Sequence, residues 1–156
     1  MLIKLKSFLI FLSIGLVNNN FSQSYNVKHF PPQFQGLSAN CHQIIQDRNG
    51  YLWIATEDGL CQFDGQDFKL YNTDEGLKRH EVYSIAEGSS GEIWVSTRGG
   101  ISKIKDYKPY DSKLDSLPVF SLKTSFEKIF YDKESDFVYL LESSLNKLYK
   151  YDNINN

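Results

Sequence analysis

The chain has 156 residues, with 17 Lys and Arg against 19 Asp and Glu and a formal net charge of −2. That length suits one ordinary domain, and so balanced a charge excludes an electrostatic grip on nucleic acid or anionic lipid. Ten Tyr, 11 Phe and two Trp stand against only three Ala (Ala39, Ala55 and Ala86), a composition that favours strands over helices and points to an all-β protein.

The first residues read as an address. Lys4 and Lys6 precede an apolar run at residues 8–17, broken only by Ser13 and Gly15. Ten helical residues cover roughly 15 Å, half of a hydrocarbon core of about 30 Å. The run is too short to span a membrane and fits the apolar region of a secretory signal peptide. Asn18, Asn19 and Asn20 end it, and cleavage is expected after Ser22, with Ser24 as second choice. Residues 1–22 are therefore assigned as a signal peptide. Removing its two Lys leaves 15 basic against 19 acidic residues, or −4.

Export permits disulfides, but two cysteines are too few for a disulfide scaffold. No Cys-x-x-Cys or His-x-x-x-His spacing occurs, and His29, His42 and His80 are scattered. No metal or cofactor is predicted.

From residue 36 onwards the chain repeats itself. Residues 41–63 laid over 82–104, an offset of 41, match Gly50 with Gly91, Trp53 with Trp94, Thr56 with Thr97 and Gly59 with Gly100. Apolar residues match at Leu52/Ile93, Ile54/Val95, Leu60/Ile101 and Phe63/Ile104. Matched Gly, Trp and Thr with a common apolar phase mark an internal repeat. In the first copy, strand a is expected over Cys41–Gln46, b over residues 51–56, c over Leu60–Phe63 and d over Phe68–Tyr71. The turns are Asp47-Arg48-Asn49-Gly50, Asp58-Gly59 and Asp64-Gly65, where Asp bonds locally and Gly supplies positive φ. Strand b is apolar on both faces, so it needs a neighbour above and below. Cys41 on strand a and Cys61 on strand c then stand two strand spacings apart, roughly 9.6 Å. A disulfide reaches about 6.8 Å, so no intrachain bridge is expected.

A third, worn copy follows, with strand a at residues 125–131, b at Phe137–Glu142 with Tyr139 in the Trp position, and c at residues 145–151. Residues 105–122 read as a connection in which a fourth strand of the second copy is hard to place. Four antiparallel strands per forty-odd residues, stacked face to face, are the blades of a β-propeller. The expected domains are a strand segment at 23–35, blade one at 36–75, blade two at 76–116 and an incomplete third blade at 117–156. The fold class is thus all-β, a partial propeller of about two and a half blades after a signal peptide. Residues 25–30 read as an outermost strand, of the kind a closed propeller lends to its last blade. Two and a half blades cannot close a ring, so the flanking faces should expose Ile, Phe and Trp surface.

Gly36-Leu37-Ser38, Gly50-Tyr51-Leu52-Trp53-Ile54-Ala55-Thr56, Asp58-Gly59-Leu60 and Phe63-Asp64-Gly65 resemble the two-component regulator propeller repeat. The second copy keeps Gly91, Ile93-Trp94-Val95, Thr97 and Gly99-Gly100-Ile101 but loses the Asp-Gly turn. The resemblance implies a periplasmic propeller standing ahead of a membrane helix and a histidine kinase or DNA-binding output module. It implies as partners a small-molecule or glycan ligand and the rest of a receptor chain, with no nucleic acid. This sequence contains no membrane helix and no kinase histidine box, and it reads as the N-terminal, non-catalytic piece of such a receptor. A propeller enzyme acting on glycans and an extracellular adhesion propeller are the alternatives.

The motif residues Gly50, Trp53, Thr56, Gly59, Gly91, Trp94, Thr97 and Gly100 read as structural, the two Trp packing between blades and the two Thr bonding across or capping a turn. Catalytic residues are not predicted: no nucleophile has a partner at a meaningful spacing. Antiparallel strands alternate direction, so the d–a and b–c connections emerge on the same end of a blade. Glu57, Asp58, Lys78, Arg79, His80 and Arg98 therefore share one rim, and polar loops on a rigid scaffold are where a ligand would touch.

Overall fold

The computed structural model describes residues 27–28, 38–110, 125–142 and 144–152. The expected signal peptide, the strand expected at 25–30 and the Gly36-Leu37 pair fall wholly or largely outside the described residues. The chain divides into Met1–Phe30 and Pro31–Asn156, and every strand belongs to the second unit.

Eleven strands form three antiparallel sheets, and no helix occurs among the described residues. The first sheet runs β1 (Cys41–Gln46), β2 (Leu52–Thr56), β3 (Leu60–Phe63) and β4 (Phe68–Tyr71). The second runs β5 (Val82–Glu87), β6 (Ile93–Thr97), β7 (Gly100–Lys105) and β8 (Lys108–Tyr110). The third holds β9 (Lys128–Asp132), β10 (Phe137–Glu142) and β11 (Lys147–Asp152). Each sheet is a meander in chain order, the pattern of a blade.

Local chemistry sets the turns. Asp47 Oδ1 accepts the backbone N–H of Asn49 and of Tyr51, both at 2.9 Å, and this closes the β1–β2 turn. Asp64 does the same for Gln66 and Asp67 between β3 and β4. Gly59 has φ +148°, and a Cβ there would stand 2.4 Å from the carbonyl oxygen of Tyr71, so the β2–β3 hairpin needs glycine on both counts.

The fourth strand of the second blade, hard to place by sequence, is β8 at Lys108–Tyr110. The strand left unplaced within residues 105–122 thus lies near their start. No Asp-Gly pair announces the hairpin. Asp106 and Tyr107 themselves adopt positive φ, 50° and 59°, making a tight turn without glycine. Pro109 is tolerated because β8 is an edge strand. In the third blade, β9 starts at Lys128 and β11 at Lys147, later than the expected 125 and 145.

The blades have a front and a back. Trp53, at 1% exposure, joins Tyr71, Val82, Ile85, Ile93 and Val95 in one cluster between the first two sheets. Trp94, at 0%, joins Phe126, Ile129, Val138 and Leu140 in a second cluster between the second and third. The Trp of each sheet therefore lies on its front, against the β-branched back of the next. Burying side chains of this size stabilises by roughly 2–3 kcal/mol each. Every residue of β6 is buried, whereas in β2 Leu52 and Ile54 are only half-buried. The expectation that strand b is covered on both faces thus holds for the second sheet alone, the one with a described sheet on each side. Ile44 of the first sheet and Phe130 and Leu148 of the third are exposed at 58%, 64% and 67%.

Polar stitches join the layers. Arg48, in the first a–b turn, reaches Glu87 Oε1 at 2.7 Å, Gly88 O at 2.7 Å and Ser89 O at 2.8 Å in the second sheet. Gln43 of β1 accepts from Ser84 Oγ and Ile85 N and donates to Ile85 O. Ser84 Oγ in turn accepts from Ile129 N of β9 at 3.2 Å. The a strands thus lie side by side along the inner edge of the stack, with β4 and β8 at the outer edges.

Candidate functional site

The motif residues repeated between the two copies are spent on structure. Trp53 Nε1 donates to Asp47 Oδ2 at 2.8 Å, and Trp94 Nε1 donates to Glu92 Oε1 at 3.1 Å. Thr56 Oγ1 donates to Gly59 O and accepts from Asp58 N, and Thr97 repeats this with Gly100 O and Gly99 N. Lys103 lies opposite Trp94 across the β6–β7 ladder and holds its ammonium 3.7 Å from the indole centroid. In the third sheet Lys150 lies opposite Tyr139 in the same register, its ammonium 3.5 Å from the centroid of the adjacent Phe137 ring. Burial drives the Lys103 amine down to about 8.

The six rim residues occupy connections at one end of the first two blades. Glu57 and Asp58 are exposed in the β2–β3 turn, whose Gly59 lies against Tyr71 O, where the connector from β4 to β5 begins. That connector carries Lys78, whose N–H points to Ser102 Oγ at 3.4 Å, and His80, whose Nε2 is 3.0 Å from Thr73 Oγ1. The Arg79 side chain covers Gly99, with its Cγ 2.7 Å from where a Cβ would sit, so Arg79 meets the turn that bears Arg98. Arg79 and Arg98 are thereby brought together, while Glu57 and Asp58 stay on the neighbouring turn.

The concave part of that end lies further in, on residues the sequence reasoning did not select. His42, Tyr83, Ser125, Glu127 and Lys128 line a cleft of about 280 Å³ where the a strands of the three blades begin. His42 and Tyr83 are the unpaired residues of two β-bulges: the register passes from Cys41 to Gln43 and from Val82 to Ser84. A bulge re-aims one side chain, and here the same device recurs at the same place in two blades. The two rings stand 6.0 Å apart at 56°. Tyr83 Oη donates to Glu81 Oε2 at 2.9 Å. Burial first and then the Glu81 carboxylate raise the phenol, while the charge of Arg98 pulls the other way. The sequence signal for this cleft was present only as the superposition of His42 on Tyr83 at offset 41; the bulge itself depends on pairing register.

A second hollow of about 120 Å³ lies at the opposite end, under Arg48, Asn49 and Tyr107. Its groups are already committed. Asn49 Nδ2 donates to Tyr107 Oη at 3.0 Å, Tyr71 Oη donates to Tyr107 O at 3.1 Å, and Tyr51 packs edge-on against the Tyr107 ring at 5.3 Å. That end works as an interblade clamp. Among the described residues no three His, Cys, Asp or Glu side chains group as a metal site. Cys41 and Cys61 are free thiols, the first exposed and the second buried. No helix among the described residues is long and apolar enough to cross a membrane.

Three four- or three-stranded meanders packed front to back, with their first strands side by side, define blades of a β-propeller. Residues 35–58 and 76–99 match the family described as two component regulator propeller. A histidine kinase of Formosa agariphila is 44% identical over 62 residues, which cover 39% of this chain and 4% of the kinase. The extracellular domain of a hybrid two component system from B. thetaiotaomicron superposes with a TM-score of 0.62 at 27% identity, over 83% of this chain and 18% of that one. A second such domain from the same organism gives 0.61 at 19%, over 82% and 19%, and shares the fold. So does virginiamycin B lyase from Staphylococcus aureus, with a TM-score of 0.53 at 15% identity, over 87% of this chain and 47% of the lyase. The chain thus spans under a fifth of the extracellular domains and a small fraction of the kinase.

Proposed function

We propose that this chain is the N-terminal part of a periplasmic or extracellular ligand-sensing propeller in a two-component receptor, exported by the signal peptide at residues 1–22, with no catalysis of its own. The observation that supports it most is the joint fit of repeat and fold to the extracellular domain of a hybrid two component system, at 27% identity over 83% of this chain. The groups at the cleft favour binding over chemistry. His42, Tyr83, Glu127 and Lys128 come from three blades, and none forms a nucleophile–base pair. On this reading the ligand is a small molecule or glycan received at the end that also carries Arg79 and Arg98. The remaining partner is the rest of the receptor, which carries the signal onward.

The test is a reporter strain in which the receptor drives a measurable output. Deleting the segment 38–152 while the receptor is still present by immunoblot should abolish the response to its inducer. An unchanged response, or turnover of a glycan by the purified chain, would overturn the proposal.

A further inference from the structure

The charges at the cleft are unspent. The ion pair Arg48–Glu87 lies at the other end of the blades. Glu127 and Lys128 both line the cleft, both are exposed, and neither is paired with the other or with a neighbour. The same cleft is lined by the two bulged rings, His42 and Tyr83. A carboxylate and an ammonium that line one cleft together with two rings complement a ligand that carries both opposite charges next to a flat apolar group. Charge-assisted hydrogen bonds are the strong ones, and a partly enclosed cleft strengthens them further. A neutral polyol would leave both charges without a counter-charge.

We infer that the cleft formed by His42, Tyr83, Ser125, Glu127 and Lys128 is a binding site for a free α-amino acid with an aromatic side chain. Lys128 receives the carboxylate, Glu127 the ammonium, and the side chain lies on the rings of His42 and Tyr83. A space of about 280 Å³ admits one such molecule. Tyr83 is held in place by its bond to Glu81, so the ring is set before the ligand arrives. The inference rests on the sensor reading and narrows its ligand.

The full chain is titrated by calorimetry with L-phenylalanine, with 3-phenylpropionate, which lacks the ammonium, with phenethylamine, which lacks the carboxylate, and with cellobiose as the polyol probe. L-phenylalanine should bind saturably, and removing either charge should weaken binding by about tenfold or more. Lys128→Met should weaken L-phenylalanine and leave phenethylamine unchanged, and Glu127→Gln should weaken L-phenylalanine and leave 3-phenylpropionate unchanged. Both side chains are exposed, so the variants should keep the near-UV dichroism of the parent, and the analogue series on the unaltered chain stands without them. No saturable L-phenylalanine binding at concentrations on the order of 10 mM, equal binding of all three amphiphiles, or tighter binding of cellobiose would overturn the assignment. If it fails while the reporter strain still loses its response on deletion of 38–152, the sensor reading survives and only the ligand is wrong.

Discussion

The two Trp indoles offer a swap experiment. Trp53 gives its N–H to Asp47, at the start of its turn, whereas Trp94 gives its N–H to Glu92, two residues away and just ahead of β6. At offset 41 Asp47 falls on Gly88 and Tyr51 on Glu92. The acceptor of the second blade therefore sits at the end of the turn, next to β6, and glycine stands where the first blade has its Asp. A Cβ at Gly88 would stand 2.2 Å from Glu92 Oε1. Gly88→Asp alone meets that clash and sets two carboxylates together, which should cost about 2–4 kcal/mol. Glu92→Tyr alone leaves the buried Trp94 N–H without an acceptor, at about 1–3 kcal/mol. The double variant restores the arrangement of the first blade and should lie within about 1 kcal/mol of the parent, a coupling of roughly −4 kcal/mol. Gly88 does not occupy the left-handed region, so an Asp can adopt its backbone. Urea unfolding followed by Trp fluorescence measures all four corners of the cycle. Additive single effects would refute the idea that the two acceptors are alternatives for one job.

Two further outcomes follow from the titration of buried groups. The Lys103 amine at about 8, against its ordinary 10.5, means the unfolded chain holds more protons between those values. Stability should therefore rise with pH across that window, by a ceiling of about 3 kcal/mol that screening reduces to roughly 1–2. The Cys61 thiol, pushed up to about 11, and the Tyr71 phenol, pushed up to about 12, act in the opposite direction, so the quantity to measure is the difference between the parent and Lys103→Met. A flat difference between pH 8 and 10.5 would count against the burial of that amine. At pH 8 a thiol reagent should label the exposed Cys41 rapidly, and Cys61 only as fast as the first blade opens. Equal labelling of both would contradict the packing of β3.

Much of the blade was legible because the repeat places unlike demands at fixed spacings. Gly59 must be glycine for its φ and for Tyr71 O, and Trp53 must find an acceptor, so both stay recognisable through 41 residues of drift. The end of the blade that carries Glu57, Asp58, Lys78, Arg79, His80 and Arg98 followed from strand alternation alone. What the sequence hid are features without a residue signature. The hairpin at Asp106 and Tyr107 holds positive φ through tertiary contacts of Tyr107, so neither glycine nor asparagine marks it. The bulges at His42 and Tyr83 are a property of the ladder with β2 and β6, and no local pattern distinguishes them from a regular strand. Polar residues were sought on connections, whereas the cleft is built on the first residues of strands.

The front-to-back packing gives the stack a direction. Phe137, Tyr139 and Lys150 mark the front of the third sheet, and Ile44, Leu52 and Ile54 lie in the first sheet, away from the second-sheet cluster. A twofold-symmetric pair of chains would set like against like, ammonium to ammonium in one case and aliphatic to aliphatic in the other, and neither pairing occurs between the sheets described. The match that does occur joins a front to a back. Contacts through these surfaces are therefore heterologous, and each added unit presents the same unfilled surface again until rotation about the axis brings last to first. Ring closure is then the one geometry that ends the series without a special cap.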